Sequence, residues 1–188
     1  MTPNISLVIR TRSTTPEILA VLRRIGEQTT LPLETIVIDS GSSPDLVDQF
    51  RNRPNTKLIE IPPESYTSAG ALNRACSEAK GELIAILSQD ALPADAHYLE
   101  SLAVAFEDPK VAGAYGRQIP REHDHPLNIK DLTKTYPPQS RTQTTDGWFD
   151  NCCSMIRSEL WRRHPFDESM VISEDQAWGK WAANPSLA

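Results

Sequence analysis

The sequence predicts an α/β domain, with a mostly parallel sheet flanked by helices on both faces. Short apolar runs rich in Val, Ile and Leu recur along the first 116 residues, and segments of helical periodicity separate them. This alternation is typical of βαβ units, whose right-handed crossovers put helices on both faces of a parallel sheet. Polar residues directly follow three of the runs. Ligands of parallel α/β sheets bind there, beyond the carboxyl ends of the strands.

Five strands are predicted from largely apolar runs that polar or turn-forming residues bound. They cover residues 5–9, 35–38, 57–61, 83–87 and 111–115. The run LIAIL at 83–87 is wholly apolar, which is typical of a central strand buried on both faces. The first ten residues, MTPNISLVIR, lack a basic region followed by an apolar stretch, so they are not expected to be a secretion signal.

Six helices are predicted from capping residues and from apolar positions at helical spacing. They cover residues 15–25, 43–50, 69–79, 95–106 and 158–162, and a last one that opens at 173. Thr15, Ser43 and Ser173 are expected to cap their helices, because a proline or an acidic residue follows each hydroxyl. Gly81 is expected to end the third helix.

The regular alternation stops near Gly116. Residues 117–147 are rich in Pro, His, Gln, Thr and charged residues and show little periodicity. A long, partly ordered loop is therefore expected here, of a length usually tied to function or to disorder. Order is expected to resume at Trp148 and to continue to Ile156.

Composition and charge exclude several classes of protein. A length of 188 residues favours one domain. The 19 basic and 25 acidic side chains give a net charge of −6, whereas general nucleic-acid binders usually have an excess of basic residues. No apolar run approaches the ~18 residues that a membrane-spanning helix needs. Three cysteines, Cys76, Cys152 and Cys153, are expected to be reduced. The cytoplasm is the expected compartment.

Acidic residues follow two of the predicted strands. Asp39 either accepts hydrogen bonds from a nucleobase or ribose, or closes a turn in the stretch Asp-Ser-Gly-Ser. Gly41 would let the backbone approach a ligand closely. Asp90 either binds Mg²⁺ or Mn²⁺, which bridge to phosphate oxygens, or starts a helix.

Other charged residues fit two interpretations as well. Arg10 and Arg12 follow the first strand. Either they bind a phosphate or carboxylate group, or one of them is a surface residue and the other forms an ion pair within the protein. Glu174 and Asp175 stabilise a helix start in any case, and a carboxylate there could also activate a hydroxyl. The glycine motifs of dinucleotide-binding enzymes, P-loop nucleoside triphosphatases and serine hydrolases do not occur in the sequence.

An ordered set of motifs covers nearly the whole chain. It consists of residues 5–12, 27–29, 36–42, 71–73, 79–82, 87–93, 111–120, 161–167 and 173–178. In this set the chain resembles the family 2 glycosyltransferases, and most of all their rhamnosyltransferase-like subgroup. The resemblance implies a GT-A (Rossmann-like) fold and an inverting transfer of a sugar from a nucleotide-diphospho-sugar to an acceptor hydroxyl.

The resemblance also implies roles for particular residues. Asp175 corresponds to the acid of the Glu-Asp motif, the general base, with Glu174 beside it. Asp90 corresponds to the last acid of the Asp-x-Asp motif that holds Mg²⁺ or Mn²⁺. Asn151 and Trp178 are expected on the acceptor side. The donor is expected to contact Arg10, Thr11, Arg12, Asp39, Gly41, Asn73, Gln89 and Asp90.

The chain departs from the family pattern at three places. Ser88 stands where the first acid of Asp-x-Asp usually lies. Residues 66–71 lack an expected arginine, so a diphosphate contact would come from Arg10, Arg12 or Arg74. The chain also ends earlier than its relatives, which suggests a truncated acceptor side.

These features lead to a single expected domain, 1–188, with a nucleotide-sugar half at 1–116 and an acceptor half at 117–188. The expected role is cell-surface polysaccharide synthesis on a saccharide or lipid-linked saccharide, with peripheral contact at the inner face of the membrane. One alternative is a non-catalytic remnant that binds nucleotide sugars. Another is an unrelated nucleotide-binding module, such as a nucleotidyltransferase, although its phosphate loop is missing from the sequence.

Overall fold

A six-stranded sheet in the order β3-β2-β1-β4-β6-β5 organises the computed structural model, which describes residues 4–12, 17–144 and 146–184. The strands are β1 (Ile5–Thr11), β2 (Glu34–Asp39), β3 (Thr56–Glu60), β4 (Leu83–Ser88), β5 (Gly113–Tyr115) and β6 (Cys153–Arg157). The helices are α1 (Glu17–Gly26), α2 (Pro44–Arg51), α3 (Ser68–Cys76), α4 (Tyr98–Val104), α5 (Pro126–Thr135), α6 (Ser158–Arg163) and α7 (Glu174–Ala182). Short 3₁₀ turns lie at Pro63–Ser65 and Ala105–Glu107.

Four neighbouring strands, β3, β2, β1 and β4, run parallel. Their register places Thr11 opposite Asp39 and Arg10 opposite Ser88. The polar residues that follow three different strands therefore meet at one end of the sheet, called the carboxyl end below. This confirms the predicted α/β class.

Strand β6 runs antiparallel to both of its neighbours, β4 and β5. In the sheet, β6 lies between β4 and β5, although β5 precedes it in the chain. Because β6 is antiparallel to β4, its first residue, Cys153, pairs with Leu87 near the carboxyl end of β4. The residues just before β6 are thereby brought to the carboxyl end of the sheet.

The two faces of the sheet bury separate apolar clusters, as alternation along a strand requires. Leu7 and Ile9 pack with α1, α2 and α4 on one face. Val8, between them, packs on the other face with α3 and with Trp178 of α7. Helices cover both faces, as predicted.

The structure corrects the prediction of a loop at 117–147, because α5 occupies part of it. Pro126 stands at the start of this helix, and the His125 ring accepts a hydrogen bond from the Leu127 N–H at 3.3 Å. Such a helix start is favourable. No residue of α5 is buried, so the helix leaves little apolar periodicity to detect.

The capping predictions were only partly right. Thr15 lies outside the described residues. Ser43 and Ser173 do stand just before α2 and α7, but neither side chain makes a capping hydrogen bond. Ser173 has a left-handed backbone (φ 66°), whereas a residue whose side chain caps a helix normally has an extended backbone.

Within the described ranges, no helix combines the length and apolar character that crossing a membrane demands. All three cysteines are free thiols, as expected.

Candidate active site

The side chain of Gln89 joins two strands at the carboxyl end of the sheet. Its Oε1 accepts hydrogen bonds from the Thr11 hydroxyl at 2.9 Å and from the Arg12 N–H at 2.8 Å. Thr11 ends β1, and Gln89 directly follows β4. These predicted donor residues are therefore neighbours, and they hold the ends of two strands in a fixed relation.

Asp39 forms the base of a tight turn. Its buried carboxylate accepts hydrogen bonds from the Gly41 N–H at 3.0 Å and from the Ser42 N–H at 3.1 Å. Gly41 has a φ of +111°, and a Cβ there would lie 2.9 Å from Cγ of Pro63. The turn role is thus present, and a contact of Asp39 with a nucleoside stays a prediction.

Asp90 offers an exposed carboxylate just beyond β4. Its backbone carbonyl accepts a hydrogen bond from Arg121 at 2.6 Å. Among the residues that the structure describes, no group of three or more His, Cys, Asp or Glu side chains could hold a metal ion. Mg²⁺ and Mn²⁺ are often held by one or two carboxylates together with substrate phosphates and water. Asp90 is therefore suited to bind an ion that is also coordinated by the phosphates of a substrate, and not an ion whose ligands all come from the protein.

A buried ion pair ties three elements together. The Arg10 guanidinium donates to the Ser68 hydroxyl, and that hydroxyl donates to the Glu174 carboxylate. Arg10 and Glu174 also lie 3.6 Å apart, with side chains 17% and 6% exposed. The charge of Glu174 is thus balanced by Arg10 where β1, α3 and α7 meet.

Asp175 follows Glu174 but has a different environment. Its Oδ2 accepts a hydrogen bond from the Asn151 N–H at 3.1 Å, and its Oδ1 accepts one from the Gln176 N–H at 2.8 Å. Burial raises the pKa of the Asp175 carboxyl, the charges of Glu174 and Asp150 raise it further, and the two N–H groups oppose the rise. A carboxylate of raised pKa is a better proton acceptor.

Asp175 opens into a cavity of about 600 Å³ at this end of the sheet. Asp131 and Tyr136, from α5 and the residue after it, form one part of the wall, and Trp148 and Asp150 form another. Asp150 accepts hydrogen bonds from the Tyr136 hydroxyl, from the Gln118 amide at 2.7 Å and from the Cys152 N–H at 2.7 Å. Burial, with the adjacent Asp150 carboxylate, raises the pKa of Tyr136.

The sequence prediction missed these four cavity residues. Asp131 and Tyr136 lie in the segment expected to be a loop, where nothing in the pattern singles them out. Asp150 carried a usable signal, because it is an acid between an aromatic pair and the apolar strand β6.

Three predicted site residues lie behind the cavity rather than in its wall. The Asn73 amide donates to the Phe166 carbonyl at 2.8 Å and to Glu168 at 2.9 Å, so it holds the segment before α7. Trp178 is buried, and its Nε1–H donates to the His164 carbonyl at 3.0 Å. Asn151 is 1% exposed and supplies the backbone N–H that holds Asp175.

Comparison with known proteins agrees with this fold. Residues 6–168 match the model of glycosyl transferase family 2. The chain is 32% identical over 121 residues to the O-antigen chain rhamnosyltransferase RfbN of Salmonella typhimurium, a match that covers 64% of this chain and 38% of RfbN. It is 34% identical over 107 residues to WbaN of Salmonella anatum, also named an O-antigen chain rhamnosyltransferase, covering 55% of this chain and 33% of WbaN.

A solved structure shows the same fold. The mannosyltransferase PcManGT from Pyrobaculum calidifontis, determined with GDP-Man and Mn²⁺, superposes with a TM-score of 0.70 at 22% identity. The match covers 95% of this chain and 51% of PcManGT. The fold is thus that of the GT-A glycosyltransferases. The chain belongs to glycosyl transferase family 2 and is rhamnosyltransferase-like, and its matches span about half or less of the length of these proteins.

Proposed function

We propose that this chain transfers a sugar from a nucleotide-diphospho-sugar to an acceptor hydroxyl, with inversion, in the synthesis of O-antigen or a related cell-surface polysaccharide. Membership of family 2 and the names of the two Salmonella relatives support this proposal. The observation that carries it is Asp175, a carboxylate of raised pKa that opens into a cavity beside the polar ends of β1, β2 and β4.

On the donor side, residues 1–116 bind the nucleotide sugar. Thr11, Gly41 and the Asp39 turn receive the nucleoside, and Gln89 keeps the ends of β1 and β4 in place for it. The exposed Arg12 contacts the diphosphate, since the guanidinium of Arg10 is already paired with Glu174. A divalent ion bound by Asp90 and the donor phosphates would offset the negative charge that grows on the leaving diphosphate.

On the acceptor side, residues 117–188 place a hydroxyl against Asp175. Asp175 takes the hydroxyl proton while the oxygen attacks the anomeric carbon. The bond from that carbon to the diphosphate oxygen breaks, and the diphosphate leaves with the electron pair. Attack on the face opposite the leaving group inverts the anomeric configuration. Glu174 acts as a positioning residue, because its pairing with Arg10 and Ser68 fixes the start of α7.

Two measurements test this function. Isothermal titration with UDP and with dTDP, with and without Mn²⁺, should show binding at micromolar strength that depends on the metal ion. Release of nucleoside diphosphate should fall by about 10²-fold or more in Asp175→Asn, while donor binding is unchanged. Glu159→Gln is the matched control, because Glu159 is exposed and α6 begins at the opposite end of the sheet. Full turnover by Asp175→Asn would exclude Asp175 as the base.

Ser88 favours a second candidate function, binding of nucleotide sugars without transfer. It stands in place of an acid near the metal position, so a weaker metal site is expected. In that case wild-type protein and Asp175→Asn would bind the donor equally, and neither would release diphosphate.

We also propose that the protein works at the inner face of the membrane on a saccharide or lipid-linked saccharide. Val171 and Ile172 support this placement, because they line the cavity and are 87% and 74% exposed. Exposed apolar residues beside a binding cavity are suited to an apolar neighbour.

A further inference from the structure

We propose that the cavity around Asp175 selects an acceptor whose sugar ring carries no charge and rejects a sugar ring that carries a carboxylate, and that Asp131 is a specificity-determining residue. Because the cavity is taken as the acceptor site, the assignment rests on the proposed function. It adds the charge class of the substrate.

The charges of the cavity wall are all negative. Asp131, Asp150, Glu174 and Asp175 line it, and no lysine or arginine does so in the part of the chain that the structure describes. Arg10 neutralises Glu174 from behind. The hydrogen-bond partners of Asp150 are a tyrosine hydroxyl, an amide and a backbone N–H, which carry no charge. Three carboxylates therefore remain without a cation.

Asp131 differs from the other two because the fold does not use it. It is exposed on α5, and its carboxylate makes no hydrogen bond or ion pair with any residue within 4–12, 17–144 and 146–184. Its charge is thus free to act on a molecule in the cavity. By contrast, Asp150 holds Tyr136, and Asp175 is itself held by Asn151.

The rest of the wall suits a neutral sugar. Trp148 is 38% exposed and Tyr136 lies nearby, so the C–H faces of a pyranose can pack against aromatic rings. Carboxylates accept hydrogen bonds from sugar hydroxyls, and such charge-assisted bonds are strong. An anionic sugar would meet like charges without a compensating cation. Each carboxylate at about 6 Å weakens its binding by about threefold in a watery cavity.

Collisional quenching of tryptophan fluorescence tests the cavity charge without any substrate. Trp148 is a cavity residue, and the signal lost in Trp148→Phe isolates its emission. Iodide should quench Trp148 about threefold less efficiently than expected from neutral acrylamide, and Asp131→Asn should restore part of the iodide quenching. Glu159→Gln removes the same charge elsewhere and should not. Equal quenching by both agents in wild type would overturn the proposal.

Saturation-transfer NMR tests the substrate class. Methyl glucoside and methyl glucuronide differ only in a hydroxymethyl or a carboxylate at C6. Wild-type protein should bind the glucuronide about tenfold more weakly, and Asp131→Lys should reduce that gap at least about threefold. Equal binding of the two glycosides to wild type would overturn the proposed selectivity.

Two further outcomes separate this proposal from the proposed function. Binding of neither glycoside would overturn the acceptor assignment of the cavity together with its selectivity. Titration with UDP and dTDP reports donor binding independently, so equal glycoside binding combined with donor binding refutes the selectivity alone.

Discussion

At the scale of single residues, Asp175 combines a favourable chemical position with an unfavourable energetic one. Burial raises the pKa of its carboxyl above the ordinary value of an aspartate, so the folded protein holds the proton more tightly than the unfolded chain. Ionisation of Asp175 at neutral pH therefore destabilises the fold. Such a cost is common where a group is kept for catalysis.

We expect the stability of Asp175→Asn relative to wild type to be higher near pH 7 than near the ordinary aspartate pKa, on top of a pH-independent loss because the amide can accept only one of the two N–H hydrogen bonds. The wild type loses stability as pH rises from the pKa of unfolded aspartate to the raised pKa of Asp175, and the amide variant does not. The free energy of unfolding of the variant relative to that of wild type should therefore decrease as pH falls toward the ordinary aspartate pKa. Urea unfolding at a series of pH values measures it. A stability difference between variant and wild type that stays constant with pH would show that folding does not raise the pKa of Asp175.

Gly41 allows a second residue-scale prediction. Gly41→Ala would force a side chain into a left-handed backbone and against Pro63, at a cost of about 1 to 3 kcal/mol. Because the Asp39 turn would shift, binding of UDP should weaken as well. Gly26→Ala is the control, since the nearest atom to its added Cβ is the end of the Arg53 side chain at 3.6 Å. Unchanged UDP affinity in Gly41→Ala would separate the turn from the donor site.

At the scale of elements, the buried pair of Arg10 and Glu174 fixes where α7 begins relative to β1 and α3. The ion pair at this junction and the hydrogen bond from the Asn151 N–H together hold the carboxylate of Asp175 in position. A buried ion pair is expensive to break, because the partner that remains is a buried charge without compensation.

A double-mutant cycle tests this junction. Glu174→Leu alone should lower the free energy of unfolding by about 3 to 5 kcal/mol, and Arg10→Met alone should do so as well. The double variant should lose much less than the sum, since no charge is then left unpaired. Thermal and urea unfolding give the three values. Additive losses would mean that the two side chains do not depend on each other.

At the scale of the whole molecule, the α/β class and most strands were predictable from the sequence. Buried strands are short and apolar, and the helices that pack on them carry an apolar face, so both leave a periodic signal. Asp39, Gln89 and Asp90 were predictable in position because they follow strands of a parallel sheet.

The acceptor side was much less predictable, for reasons of packing. No residue of helix α5 is buried, and only Ile129 and Leu132 are partly buried, so the segment carries little of the apolar periodicity that indicates a helix. Tyr136 and Asp150 are 14 positions apart and lie outside the helices and strands, so no periodic pattern indicates that their side chains meet. Arg10 and Glu174 lie near opposite ends of the chain, and no local pattern indicates that they pair.

The insertion of β6 between β4 and β5 has a consequence for biosynthesis. During synthesis, β4 is complete about seventy residues before β6. Until β6 is synthesised, the backbone groups on the edge of β4 that pairs with β6 have no partner. The nascent chain is exposed to wrong pairing during that interval. A fragment of residues 1–116 should therefore aggregate when expressed alone, and a peptide of residues 117–188 added during refolding should keep it in solution. Light scattering during refolding measures this, and a soluble, monomeric fragment would show that the donor half matures before the acceptor half exists.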